Sequence, residues 1–180
     1  MDFDNIDYLQ YGNNRQREAF VIITDNQILL KLARYHPILV GTIPINIHTE
    51  RSDLDIICYF TDQQDFTETI VHHFTNEKNF SIRNRTNFTV LTTVASFSIG
   101  NSEIEIFGQN IPTKQQHGYL HLIAEYNLLE KYGEKFRQQI VELKRQKYKT
   151  EPAFAVALGI KGDPYTELLK FETNSRSPDW

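Results

Sequence analysis

Two aspartates two residues apart, in Ser52-Asp53-Leu54-Asp55-Ile56, are the feature of this 180-residue chain in which chemistry is easiest to read. Aspartate is depleted in strands because its short side chain competes for its own backbone hydrogen bonds, yet the apolar run that follows, to Phe60, reads as a strand from Asp53 onward. Residues i and i+2 of a strand project from one face. Asp53 and Asp55 therefore converge, and no Lys or Arg in the segment neutralises them. A hard divalent cation removes that repulsion, since it takes oxygen ligands and tolerates phosphate as a co-ligand. A second acidic segment, Glu103-Ile104-Glu105-Ile106-Phe107, places both glutamates on one face and the apolar residues on the other. Glu105 lies deeper in that strand than Glu103, which follows a turn, and is the expected third carboxylate. Three carboxylates around Mg²⁺ (or Mn²⁺) suit nucleotidyl or phosphoryl transfer, in which two cations about 3.5–4 Å apart stabilise attacking and leaving oxygens together. Upstream, Gly41-Thr42 ends the apolar run Ile38-Leu39-Val40. A glycine there lets the backbone approach a phosphate, its neighbouring N–H groups form an anion nest, and the Thr42 hydroxyl adds a hydrogen bond.

The elements that must position these residues follow from periodicity. Residues 15–35 carry apolar side chains at near-helical spacing and predict a helix ended by His36-Pro37. The strand 38–40, a polar loop over 43–52 and the strand 53–60 come next; the last is apolar on both faces in its second half, as a covered central strand is. Residues 63–76 predict a helix. Phe80 to Arg83, Phe88 to Ile99 and 103–108 predict three strands, with a turn at Asn84 to Asn87 and a tight turn at Gly100-Asn101. From Gln115 to Lys149 the pattern is helical with a break at Gly133. Two short helices close the chain, one from Pro152 to Gly159 and one capped by Asp163, with a polar, frayed end from Thr173. The expected fold class is α+β: a mixed sheet flanked by helices with a helical C-terminal part. Residues 1–112 form the core and residues 113–180 pack on it, as one compact domain.

Other polar residues weigh differently. His117 and His121 lie four apart on a helix, with Glu125 four further on. A zinc site lacks an apparent third ligand there, and a polar helix face is the plainer reading, with Tyr119 or His121 as possible lining for a nucleotide pocket. Arg83, Arg85 and Lys114 are candidate triphosphate contacts set against a surface role. Lys144, Arg145, Lys147 and Lys149 read as a solvated helix end, His72-His73 as a solvent-facing pair, and Cys58 as a buried packing residue.

Composition bounds the answer. The formal net charge is −4, which is poorly suited to binding long duplex nucleic acid. A single cysteine excludes an internal disulfide and fits a reducing, cytoplasmic setting. The N-terminus has no apolar run of the kind a signal peptide needs, and no stretch approaches the roughly 20 apolar residues that span a bilayer.

Gly41-Thr42, ten intervening residues, then Ser52-Asp53-Leu54-Asp55, with an acidic later strand, resembles the signature of the nucleotidyltransferase superfamily, in its kanamycin-type and minimal members. Val40-Gly41-Thr42-Ile43-Pro44, Glu105-Ile106-Phe107-Gly108-Gln109, Thr150-Glu151-Pro152-Ala153-Phe154 and Gly162-Asp163-Pro164-Tyr165 are further similar to a bacterial family, domain of unknown function 4269. Thr42 stands where the superfamily usually has Ser, and Asn46 where many members have a second glycine. The resemblance implies a Mg-dependent transfer of a nucleoside monophosphate from a nucleoside triphosphate to a hydroxyl acceptor, which is a small molecule, a protein or RNA. It implies Asp53, Asp55 and Glu105 as metal ligands and catalytic residues, with Gly41, Thr42, Ser52, Lys114 and His121 around the nucleotide. Two alternatives stand beside it: an antitoxin-like binding module on the same fold, and a metal-dependent phosphoesterase.

Overall fold

In the computed structural model, which describes residues 1–50, 52–87 and 89–173, five strands form one mixed sheet. They are β1 (Ile38–Val40), β2 (Leu54–Tyr59), β3 (Lys78–Asn87), β4 (Val90–Ile99) and β5 (Ser102–Gln109), in the order β1-β2-β5-β4-β3. Only β2 and β5 run parallel; the other neighbours are antiparallel. The helices are α1 (Asn14–Asp25), α2 (Ile28–Lys31), α3 (Gln63–Phe74), α4 (His117–Arg145), α5 (Thr150–Leu158) and α6 (Pro164–Thr173). This is the α+β, mixed-sheet architecture expected from the sequence.

Strand alternation sorts the side chains into two cores. Leu54, Ile56 and Cys58 of β2, with Ile104 and Ile106 of β5, pack with Ala19 and Ile23 of α1 and Phe66, Ile70 and Phe74 of α3. Ile57 of β2 and Val40 of β1 face the other way, onto Leu122, Leu129 and Ile140 of α4 and Phe154 of α5. Covering β2 on both faces is what makes its run Ile56-Ile57-Cys58 continuous rather than alternating. Asp55 and Glu105 belong to the α4-facing set, so the fold directs them between the sheet and the C-terminal helices.

Four expectations are corrected. The helix expected over 15–35 breaks after Asp25: Gln27 adopts a left-handed conformation (φ 54°), and the Asn26 side chain donates to the Ile22 carbonyl at 2.8 Å, a local bond that ends the helix. The turn expected at Asn84–Asn87 is strand instead. Asn84 pairs with Thr93 and Asn87 with Val90, so ladder pairing overrides the local turn preference. Strand β2 starts at Leu54, one residue after Asp53. Phe88, the expected start of the next strand, and the tail from residue 174 lie outside the described residues. Helix α5 starts at Thr150, two residues before the expected Pro152; three other boundaries are as read. Gly100-Asn101 closes a hairpin in which Ile99 pairs with Ser102; Gly133 interrupts α4 with φ 73°; Asp163 Oδ2 accepts from Thr166 N at 3.2 Å and caps α6. Among the described residues no helix is long and apolar enough to cross a membrane.

Candidate functional site

The parallel pairing of β2 with β5 sets Asp55 directly beside Glu105. Paired residues in adjacent strands share a face, so two carboxylates from distant parts of the chain become neighbours. On the other flank Val40 pairs with Asp55, and the chain turns at Gly41 immediately after. Gly41 holds φ +75°, and a Cβ there would stand 2.2 Å from Asp55 Oδ2. A glycine is required on both counts, conformation and contact. Thr42 Oγ1 donates to Ser52 Oγ at 3.1 Å, and Ser52 Oγ also accepts from Thr49 N at 3.0 Å. Arg15 reaches from α1 to the Ser52 carbonyl (3.0 Å) and the Ser102 hydroxyl (2.7 Å). The hydroxyls of Thr42 and Ser52 thus fold the loop back beside the start of β2.

Electrostatics bind the three carboxylates into one unit. Burial, then Asp53, then Glu105 push the Asp55 carboxyl up to about 7. Burial and Asp53 also raise Glu105, with Arg83 opposing. A buried carboxylate beside other carboxylates favours protonation unless a cation joins it. The chemistry of the donor set, hard oxygens on rigid strands beside a turn that admits phosphate, therefore fits Mg²⁺ or Mn²⁺, with Asp53, Asp55 and Glu105 as the residues that would hold it.

Asp55 and Glu105, but not Asp53, line a cavity of about 800 Å³ between the sheet and the C-terminal helices. Gly41, Thr42, Asp55, Glu105 and Phe107 line one side; His117, His121, Glu125, Glu151 and Tyr165 line the other. Of the residues named from sequence, Gly41, Thr42, Asp55, Glu105 and His121 meet at this cavity, while Ser52 borders a neighbouring groove. Lys114 is not brought to it. It lines a separate depression near the N-terminus, and its ammonium pairs with Asp4 at 2.7 Å.

Lys144 reverses its expected role. It is half-buried, and burial lowers its ammonium to about 8, opposed by Glu125, Asp55, Glu151 and Asp53. One lysine therefore faces four carboxylates. The signal was available, because Lys144 continues the buried stripe Phe136, Ile140 of α4 at four-residue spacing. On the same helix, burial drives the Glu125 carboxyl far upward and holds His121 below the usual imidazole range.

Comparisons with known proteins bear on the family and the fold. Residues 21–171 match the family model "Domain of unknown function (DUF4269)", and the chain belongs to that family. Among curated proteins none matches the sequence. Solved structures that resemble the fold include the Cid1 poly(U) polymerase bound to MgGTP (TM-score 0.55, 10% identity, 79% of this chain and 48% of that one). The GLD-2/RNP-8 complex superposes at TM-score 0.53 with 12% identity, over 96% of this chain and 68% of that one. The polymerase core of TRAMP, an RNA surveillance complex, does so at 0.52 with 12% identity, over 96% and 54%. The chain spans about half the length of the Cid1 polymerase it matches. The chain shares the fold of these structures.

Proposed function

We propose that this protein is a divalent-cation-dependent nucleotidyltransferase that joins a nucleoside monophosphate, taken from a nucleoside triphosphate, to a hydroxyl acceptor. The observation that carries the reading is the Asp55–Glu105 pair on adjacent parallel strands, with Asp53 in charge contact and Gly41 packed against the Asp55 carboxylate. In the reaction the acceptor oxygen bonds to the α-phosphorus, the bond to the bridging oxygen breaks, and pyrophosphate leaves with that electron pair. Bound Mg²⁺ supplies Lewis acidity to the phosphate oxygens. Asp53 and Asp55 hold the cation-facing edge of the site. Glu105, the more exposed of the strand pair, stands where the acceptor proton can be accepted. Backbone N–H groups at Gly41-Thr42 receive the phosphates, and Lys144 adds positive charge near the carboxylates. Positioning and fixed charge supply the catalysis, as in phosphoryl transfer generally.

The test is a thermal-shift and calorimetric titration of the full chain with ATP, CTP, GTP and UTP, each with Mg²⁺ or Mn²⁺. Binding raises stability by mass action, by about 2.7 kcal/mol at a hundredfold excess over Kd, and the melting temperature rises with it. At least one triphosphate is expected to do so only with the cation, and Asp53→Asn or Asp55→Asn to abolish the shift while far-UV circular dichroism is unchanged. Release of pyrophosphate rather than phosphate separates this reading from a phosphoesterase. Equal binding by wild type and both variants would end it.

A further inference from the structure

Across the cavity from the strand carboxylates, three more ligand-type side chains meet. His121 and Glu125 lie four apart on α4 and share one face. Glu151 enters from the first turn of α5. One ligand atom from each lies within 4.8 Å of the other two, and among the described residues these are the three His, Cys, Asp or Glu side chains that approach so closely. Glu151 is the third ligand that the spacing of His121 and Glu125 leaves unnamed.

Burial makes the cluster more than an acidic patch. Glu125 is 4% exposed and His121 7%. Among the described residues, His121 Nδ1 is buried with no hydrogen-bond partner. A buried imidazole nitrogen without a partner, beside a buried carboxylate, is costly unless a cation or proton joins them. Lys144 is the nearby counter-charge, and it is shared with Asp53 and Asp55. The carboxylate charge of Glu125 and Glu151 is therefore not balanced by protein groups alone.

We propose that His121, Glu125 and Glu151 form a second metal site, distinct from the strand carboxylates, that takes one zinc ion. An imidazole nitrogen with two carboxylate oxygens suits zinc, whereas Mg²⁺ prefers oxygen throughout. Zinc bonds of about 2.0–2.2 Å place tetrahedral ligand atoms about 3.3 Å apart, so modest side-chain rotation closes the cluster. Three protein ligands leave a fourth position, which faces the cavity and is open to water or to a polar group of a bound molecule. The ion also ties α5 to α4.

The experiment uses the chelator-treated full chain, titrated with ZnCl₂ by calorimetry and followed by melting temperature. Wild type is expected to bind one equivalent and to melt higher with zinc. The Asp53→Asn/Asp55→Asn double variant is expected to keep that equivalent, which separates this site from the nucleotide reading. Glu151→Gln, isosteric and at the mouth of the cavity, is expected to weaken zinc at least tenfold with unchanged circular dichroism. Cobalt substitution is expected to give visible ligand-field absorption in wild type and not in Glu151→Gln. Failure to bind zinc, loss of zinc in the aspartate variant, or full affinity in Glu151→Gln would each overturn the proposal.

Discussion

Gly41 carries two requirements that can be measured separately. Its φ of +75° costs an L-residue about 1–2 kcal/mol, and its missing side chain leaves room for the Asp55 carboxylate. Gly100, at φ +58° with nothing within 4 Å of a built Cβ, carries only the first. Gly100→Ala is therefore expected to lose the backbone term alone and to retain triphosphate binding. Gly41→Ala is expected to lose more stability and to lose cation-dependent binding, because Asp55 must swing away. Chemical denaturation and titration of the two variants side by side test this; equal losses would mean that the Asp55 contact is immaterial. The carboxylates were legible from sequence because Asp-x-Asp in a strand is rare and its face is fixed by a period of two. Glu151 was not, since its role depends on the angle at which α5 packs on α4, which no local pattern encodes; Lys144 was legible only through its place on the buried stripe of α4.

At the scale of elements, the strands that carry the site were readable to within a residue or two, because β2 is a short continuous apolar run and β5 alternates cleanly. Strand β3 was only half readable. Its Asn84-Arg85-Thr86-Asn87 looks like a turn until β4 supplies eight cross-strand partners. The chain before β1 is tied to α3 by a polar knot: Arg34 bonds Asp65 Oδ1 at 2.7 Å, and the Tyr35 hydroxyl donates to Asp65 Oδ2 at 2.8 Å. Tyr35 and then Arg34 hold the Asp65 carboxyl below its ordinary value of 3.8. A depressed carboxyl stabilises the folded state above its unfolded value, and that contribution is lost as pH falls through the folded one. Asp65→Asn is thus expected to melt slightly below wild type at pH 7, with the gap closing below about pH 4. The gap is small because the pair is solvated and screened. A gap that persists once the folded carboxyl is protonated would assign it to packing instead of charge.

For the whole molecule, the formal charge of −4 is modest, but its distribution is not. Between sheet and C-terminal helices, Asp53, Asp55, Glu125 and Glu151 crowd around one lysine, with Glu105 beside Asp55. Such a cavity destabilises the cation-free chain and is stabilised by what it binds, the usual opposition between stability and activity at a functional site. Asp55 expresses it most sharply, being pushed to about 7 and so largely ionised at pH 8 against its neighbours. Asp55→Asn keeps the shape and deletes the charge. In chelator at pH 8 it is expected to be more stable than wild type by about 1–2 kcal/mol, a rise of several degrees in Tm at about 2–4 °C per kcal/mol. With Mg²⁺ and triphosphate the order reverses, because wild type gains binding energy that the variant cannot. Melting curves of both proteins under the two conditions decide the matter. If the variant melts lower in chelator as well, the Asp55 carboxylate supports the fold through contacts rather than waiting for a cation, and the charge argument for the whole cavity fails with it.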